Sequence, residues 1–231
     1  MVVEEQIEKL LQAPPALHVD GSGKRVNYGV DFRLIARLRE HVRAGHRTLE
    51  TGSGISTIVI LLLGAEHRSV SPDGGEAERI RDYCREHGID TSRFTPLVGR
   101  SEEILPSLPL EPRLDLAFVD GNHAFPAPCI DWYYATRILK RGGIMVIDDI
   151  ELWSGQIVAD FLDQEEVWEK LERTERFAAY RMLEDAKVVL SRWWGQQPLM
   201  KRSYEEWCAT QPSTRRRFSF LTHIWSRVSK S

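Results

Sequence analysis

Short apolar runs alternate with amphipathic stretches along most of this chain. Thr48-Leu49-Glu50, Ser69-Val70-Ser71, Phe94 to Val98, Leu114 to Asp120 and Gly143 to Asp148 read as five strands. Between them, Asp31 to Val42 sets Phe32, Ile35, Leu38 and Val42 at helical spacing, and Ser56 to Leu63 is an apolar helix. Gly75 to His87 predicts a polar helix with Ile80, Tyr83 and Cys84 inward; further helices start near Ser101 and span Ala127 to Leu139. Glu166 to Arg173 and Arg176 to Leu183 alternate about Thr174-Glu175 as an antiparallel hairpin. Strands and helices in this succession predict an α/β fold: a Rossmann-like, doubly wound, mostly parallel seven-stranded sheet ending in that hairpin. Residues 1–27 read as an N-terminal helix and loop, 28–186 as the sheet domain, and 187–231 as an extension without a clear period.

Composition adds a division within the chain. Over all 231 residues the formal charge is −3, too mild to point to a nucleic-acid partner. Up to Ala186, however, 22 Lys and Arg face 32 Asp and Glu, whereas Lys187 to Ser231 holds 9 against 2. The basic end carries Trp193, Trp194, Trp207, Trp225 and Arg215-Arg216-Arg217. It is expected to pack through its tryptophans, with contact to a partner or a membrane surface as the alternative. No apolar run approaches the roughly 20 residues of a membrane span, and the first residues are acidic rather than leader-like. Cys84, Cys129 and Cys208 form no Cys-x-x-Cys, so a reducing, cytoplasmic setting is expected. Self-association stays open.

The candidate chemistry lies at the strand ends, where such sheets bind ligands. Glu50-Thr51-Gly52-Ser53-Gly54-Ile55-Ser56 runs from a strand into a helix, and its glycines let backbone approach a ligand. A dinucleotide loop would spell Gly-x-Gly-x-x-Gly; here the third glycine is missing and the acid Glu50 precedes the loop, which favours a ligand bearing an amino group. Asp73 follows the second strand, where an acid can hold ribose hydroxyls, and Ser101 follows the third, where a hydroxyl can border an adenine. Taken one at a time, these residues read equally well as a plain turn, a turn acid and a helix cap. Together they describe an adenosine ligand with an amino-acid end, S-adenosylmethionine.

On the motifs Glu50 to Thr57, Ser69 to Asp73, Phe118-Val119-Asp120-Gly121-Asn122-His123-Ala124-Phe125-Pro126 and Gly142 to Asp149, the chain resembles class I S-adenosylmethionine-dependent methyltransferases over roughly residues 28 to 185. Within them it is similar to the bacterial group related to catechol O-methyltransferases and to enzymes that modify cephalosporins and macrolide sugars. The resemblance implies that Glu50, Thr51, Gly52, Ser53, Gly54 and Ser56 surround the cofactor's methionine part, with Asp73 on its ribose and Ser101 on its adenine. It also implies a magnesium or other divalent ion on Asp120, Asp148 and Asp149, although Asp149 stands where the family pattern has asparagine. That ligand set requires the strand to end before Asp149, because neighbours within a strand face opposite ways. Asp120 could instead serve the cofactor's ammonium group. His123, three residues after Asp120, occupies the place of the catechol-type enzymes' lysine and is the candidate base. Asn122, Tyr28, Trp132, Tyr133 and Trp153 are candidates for the acceptor pocket. The expected activity is O-methylation of a small-molecule hydroxyl on a phenol, sugar or natural product. The alternatives are a nicotinamide-dependent oxidoreductase and a non-catalytic cofactor-binding scaffold.

Overall fold

The computed structural model describes residues 3–210. The chain starts with α1 (Val3–Gln12), a two-stranded hairpin of β1 (His18–Val19) and β2 (Arg25–Val26), and α2 (Phe32–His41). The alternating part follows as β3 (Arg47–Thr51), α3 (Ile55–Leu62), β4 (Glu66–Ser71), α4 (Gly74–Glu86), β5 (Phe94–Val98), α5 (Ser101–Ile104), β6 (Leu114–Val119), α6 (Ala127–Ile138) and β7 (Leu139–Ile147). Then come α7 (Trp153–Leu162), β8 (Trp168–Arg173), β9 (Ala178–Met182), α8 (Ala186–Ser191) and α9 (Pro198–Thr210). The seven-stranded sheet has the order β5-β4-β3-β6-β7-β9-β8. Its first five members are parallel, while β9 runs antiparallel to both β7 and β8.

The sheet is apolar on both faces because helices cover both. Along β6, β7 and β9, Leu116, Phe118, Ile144, Val146 and Ala179, with Phe177 just before β9, pack with α1 to α4. Their neighbours Ala117, Val119, Met145, Ile147, Ala178 and Tyr180 pack with α6 and α7 on the other side. This explains why these strands read as continuous apolar runs rather than alternating ones.

Several expectations need correction. Ile7, Leu10 and Leu17 of the expected N-terminal helix and loop join the core with residues of α3. The loop expected before α2 contains the β1–β2 hairpin. Phe32 is 68% exposed and Leu34 takes its place inward. Helix α7 lies in a stretch read as having no element; its buried Ser154, Val158 and Leu162 recur every fourth residue.

Residues up to Leu190 form one compact unit, and those from Ser191 belong to a second. In the second, Trp193 stands edge-on to Trp194, Trp194 to Tyr204, and Tyr204 stacks with Trp207. Trp225 and Arg215-Arg216-Arg217 lie outside the described residues.

Candidate active site

A cavity of about 420 Å³ opens at the carboxyl ends of β3, β4 and β6, within the usual size of a small-ligand site. The loop after β3 forms its floor. Gly52 has φ +90°, and a Cβ there would fall 2.1 Å from the carbonyl oxygen of Asp120. Only glycine allows the β3 loop to cross the end of β6 this closely. Gly54 differs, with extended φ 176°. Its N–H donates to Thr57 Oγ1 at 3.0 Å, starting α3.

Glu50 was expected to face the ligand, but it does not line the cavity. It is fully buried and accepts hydrogen bonds from Ser56 Oγ, Thr57 Oγ1 (2.6 Å) and His67 Nε2 (3.2 Å). His67 Nδ1 in turn meets Thr48 Oγ1 at 2.8 Å. The carboxylate therefore ties the first turn of α3 to β3 and β4 and shapes the loop from beneath. Ser56 is drawn into that lock, although it also lines the cavity.

Asp73 and Ser101 both reach the cavity wall. Asp73 caps α4, accepting from Gly75 N at 2.9 Å, and pairs with Arg79 at 2.5 Å. The Arg79 hydrogen bond holds its carboxyl below the ordinary range. Sequence reasoning missed Glu76, which looks like a routine acid in the first turn of α4. It lines the cavity and accepts from Ser53 Oγ (2.7 Å) and Ser71 Oγ (2.6 Å), while His18 lies at 3.0 Å. Burial pushes Glu76 up, but the bonds from His18, Ser71 and Ser53 outweigh it and keep the group below its usual pKa. The one advance signal was its position a single helical turn after Asp73. Asp131 was also missed. Fully buried beside Gly121, it faces the hydroxyls of Ser101 and Thr51, and burial raises its carboxyl.

At the opposite wall β7 ends at Ile147, so the chain turns at the acid pair. Asp149 takes φ +48°, unusual outside glycine. Even so, the three acids do not converge as expected. The donors that gather are those of Asp120, His123 and Asp149, all within 4.8 Å of one another, and Asp148 is not among them. His123 Nε2 lies 3.0 Å from Asp149 Oδ2, and Arg176 Nη2 donates to Asp149 Oδ1 at 2.9 Å. Asp149 raises the pKa of His123 through this hydrogen bond, and His123 lowers that of Asp149. Burial and neighbouring carboxylates push Asp120 well above its ordinary value. Burial also takes Asp148 up to about 6, and its Oδ1 has no partner among the described residues.

Of the acceptor-pocket candidates, Tyr28 and Asn122 line the cavity. Trp153 is 62% exposed and tilts against Phe125 with ring centres 5.3 Å apart. The next residue, Ser154, donates to the carbonyl of His123. Trp132 instead packs edge-on against Phe161, and Tyr133 against Tyr134; neither lines the cavity.

Residues 49–150, which supply most of this site, match a family model described as a methyltransferase domain. No curated protein matches the chain in sequence. Among solved structures, the fold is similar to cofactor-bound Rv0187 from MTB, with 17% identity, a TM-score of 0.58, and 79% of this chain and 90% of that one covered. It is also similar to TomG, an O-methyltransferase of tomaymycin synthesis from Streptomyces achromogenes, solved with SAM (17% identity, TM-score 0.55, coverage 79% and 90%). A third is the SAH-bound methyltransferase PaMTH1 of Podospora anserina (19% identity, TM-score 0.52, coverage 79% and 88%). No helix among the described residues is long and apolar enough to cross a membrane. The strands that build the cavity thus belong to a methyltransferase domain, residues 49–150.

Proposed function

We propose that the chain methylates a hydroxyl of a small-molecule acceptor, with His123 as the base and Asp149 as the group that orients it. The observation that carries this is the His123 Nε2–Asp149 Oδ2 pair, 3.0 Å apart, whose members directly follow the cavity-lining Asn122 and Asp148 in the chain. A carboxylate on one imidazole nitrogen fixes the ring and leaves the other nitrogen to accept a proton. The solved O-methyltransferase TomG supports the choice of oxygen through its fold alone.

S-adenosylmethionine, when bound, supplies an activated methyl group, so the protein must mainly align the acceptor and remove its proton. The Gly52 cradle and the cavity volume fit such a ligand. In this reading the backbone from Gly52 to Gly54 and the carboxylate of Asp120 face its amino-acid end. Ser53, Thr51 and Ser101 line the adjoining wall, with the buried Asp131 behind it. Glu76, set deeper in the cavity wall than the half-exposed Asp73, takes the role expected of Asp73 and holds the ribose hydroxyls. Glu50 supports the loop without touching the ligand.

A divalent metal fits the donor set poorly. Both oxygens of Asp149 already accept from nitrogen donors, and Asp148 stands outside the group. No step is therefore derived through a metal. Tyr28 and Asn122 leave the acceptor's identity open between a phenol and a sugar. Calorimetry with S-adenosylhomocysteine, followed by a screen of hydroxylated acceptors with wild type and His123→Ala, tests the reading. Binding and turnover that collapse in the variant support it; transfer to nitrogen or carbon acceptors only would overturn it.

A further inference from the structure

Arg176 enters the site from the far edge of the fold. It lies in the β8–β9 turn, and its carbonyl accepts from Ile150 N at 2.9 Å, which fastens the turn to the segment carrying the acid pair. Its own N–H donates to Thr174 Oγ1 at 3.1 Å. The backbone is thus anchored on both sides before the side chain is considered. The guanidinium then bridges two acids, with Nη2 at 2.9 Å from Asp149 Oδ1 and Nη1 at 3.1 Å from Glu151 Oε1. The other oxygen of Asp149 faces His123.

We infer that Arg176 stands in for a divalent metal ion, holding Asp149 in place and offsetting the charge of the strand-end carboxylates with a permanent cation. This rests on the methyltransferase reading and departs from the metal expected at this rim. The chemistry of the donors argues for it. An ion taken by Nε2 of His123 would displace its contact with Asp149, and one taken by Nδ1 would occupy the nitrogen that accepts the proton. An ion on Asp149 would also share that carboxylate with a guanidinium, which cannot give up its charge. Four acids, Asp120, Asp148, Asp149 and Glu151, crowd this rim, and the field of Arg176 favours the charged forms of Asp120, Asp148 and Asp149. Arg176 is therefore a positioning residue that acts through Asp149.

Manganese titration of the full chain with bound S-adenosylhomocysteine, followed by the resonance signal of free Mn²⁺, tests this without knowledge of the acceptor. Wild type and Arg176→Lys are expected to bind Mn²⁺ no more tightly than about 1 mM, the weak end of oxygen-donor sites. Arg176→Gln keeps the acids but removes the cation, so it should bind at least about tenfold more tightly. One equivalent of Mn²⁺ held by wild type at micromolar concentration, and lost in Asp149→Asn, would overturn the inference. Equal, weak binding by wild type and Arg176→Gln would overturn it too. Thermal melting checks that each variant folds, and the wild-type titration stands even if Arg176→Gln does not. Failure to bind S-adenosylhomocysteine would sink the methyltransferase reading separately.

Discussion

Gly52 and Gly54 look interchangeable in the sequence, but alanine at the two positions should have opposite outcomes. At Gly52, φ is +90° and the added carbon would sit 2.1 Å from the Asp120 carbonyl oxygen and 3.0 Å from its carbon. Ordinary contact needs more than 1 Å of extra separation, and both partners are main chain at the ends of neighbouring parallel strands. The left-handed backbone costs about 1–2 kcal/mol and the forced displacement about 1–3 kcal/mol. At roughly 2–4 °C per kcal/mol for a chain of this size, Gly52→Ala should melt about 10 °C lower. Because the displaced segment carries Asp120, affinity for S-adenosylhomocysteine should fall by at least about tenfold. At Gly54 the backbone is extended, and the nearest atom to an added carbon is His18 Nε2 at 3.4 Å, on a side chain that can give way. Gly54→Ala should therefore cost no more than about 1 kcal/mol. Scanning fluorimetry and calorimetry on the two variants decide the matter. Equal melting points and affinities for both would refute the assigned crossing of the β3 loop over β6.

Other substitutions test the remaining assignments. Glu76→Gln should weaken cofactor binding by about tenfold or more, while Asp73→Asn, which keeps a capping side chain, should change it by less than about threefold; the reverse order in calorimetry would return the ribose role to Asp73. Glu50→Ala should cost about 3 kcal/mol of stability by stranding the hydrogen-bond donors of Ser56, Thr57 and His67, and denaturant melts showing under about 1 kcal/mol would remove its structural role. The Asp149 hydrogen bond raises His123, so the stability of that pair is full below about pH 6.5 and is lost as pH rises through the higher folded value. The rising limb of kcat/KM should lie above about pH 6.5 and move downward in Asp149→Asn; a profile that stays put would remove His123 as the titrating base.

The sheet was legible because its causes are local. Each apolar run, the glycine turns and the β8–β9 alternation sit within a few residues of one another, and burial on both faces writes them plainly. The β1–β2 hairpin was not, since two-residue strands leave no period to read. Helix α7 carries its period in Ser154, Val158 and Leu162, but the preceding acid pair drew the reading toward chemistry. Arg176 was invisible as a site residue. Its approach depends on the Ile150–Arg176 backbone bond, a pairing between segments that no short window contains.

The acids at the strand ends show where sequence logic for the site stops. Glu50, Asp120 and Asp149 all follow apolar runs, but each strand decides its acid's fate by where it ends. β3 continues one residue past Glu50 and pairs it with Phe118 of β6 and Ser69 of β4. Alternation then turns Glu50 to the face covered by α3, where hydroxyls and His67 close over it. β6 stops at Val119, so Asp120 passes into the loop and meets the cavity. β7 stops at Ile147, and the turn at Asp149 presents its carboxylate to His123 and Arg176, while Asp148 lines the cavity with a raised pKa of about 6. For such a carboxyl the folded state holds the proton more tightly, so the cost of ionising it is absent near pH 4 and full above about pH 6. From the ordinary 3.8 to about 6, that cost is on the order of 2–3 kcal/mol at pH 7. Asp148→Asn should therefore stabilise the protein at pH 7 and leave it unchanged near pH 4. Melting curves with an equal gain at both pH values would show that Asp148 is not the strained member of the cluster.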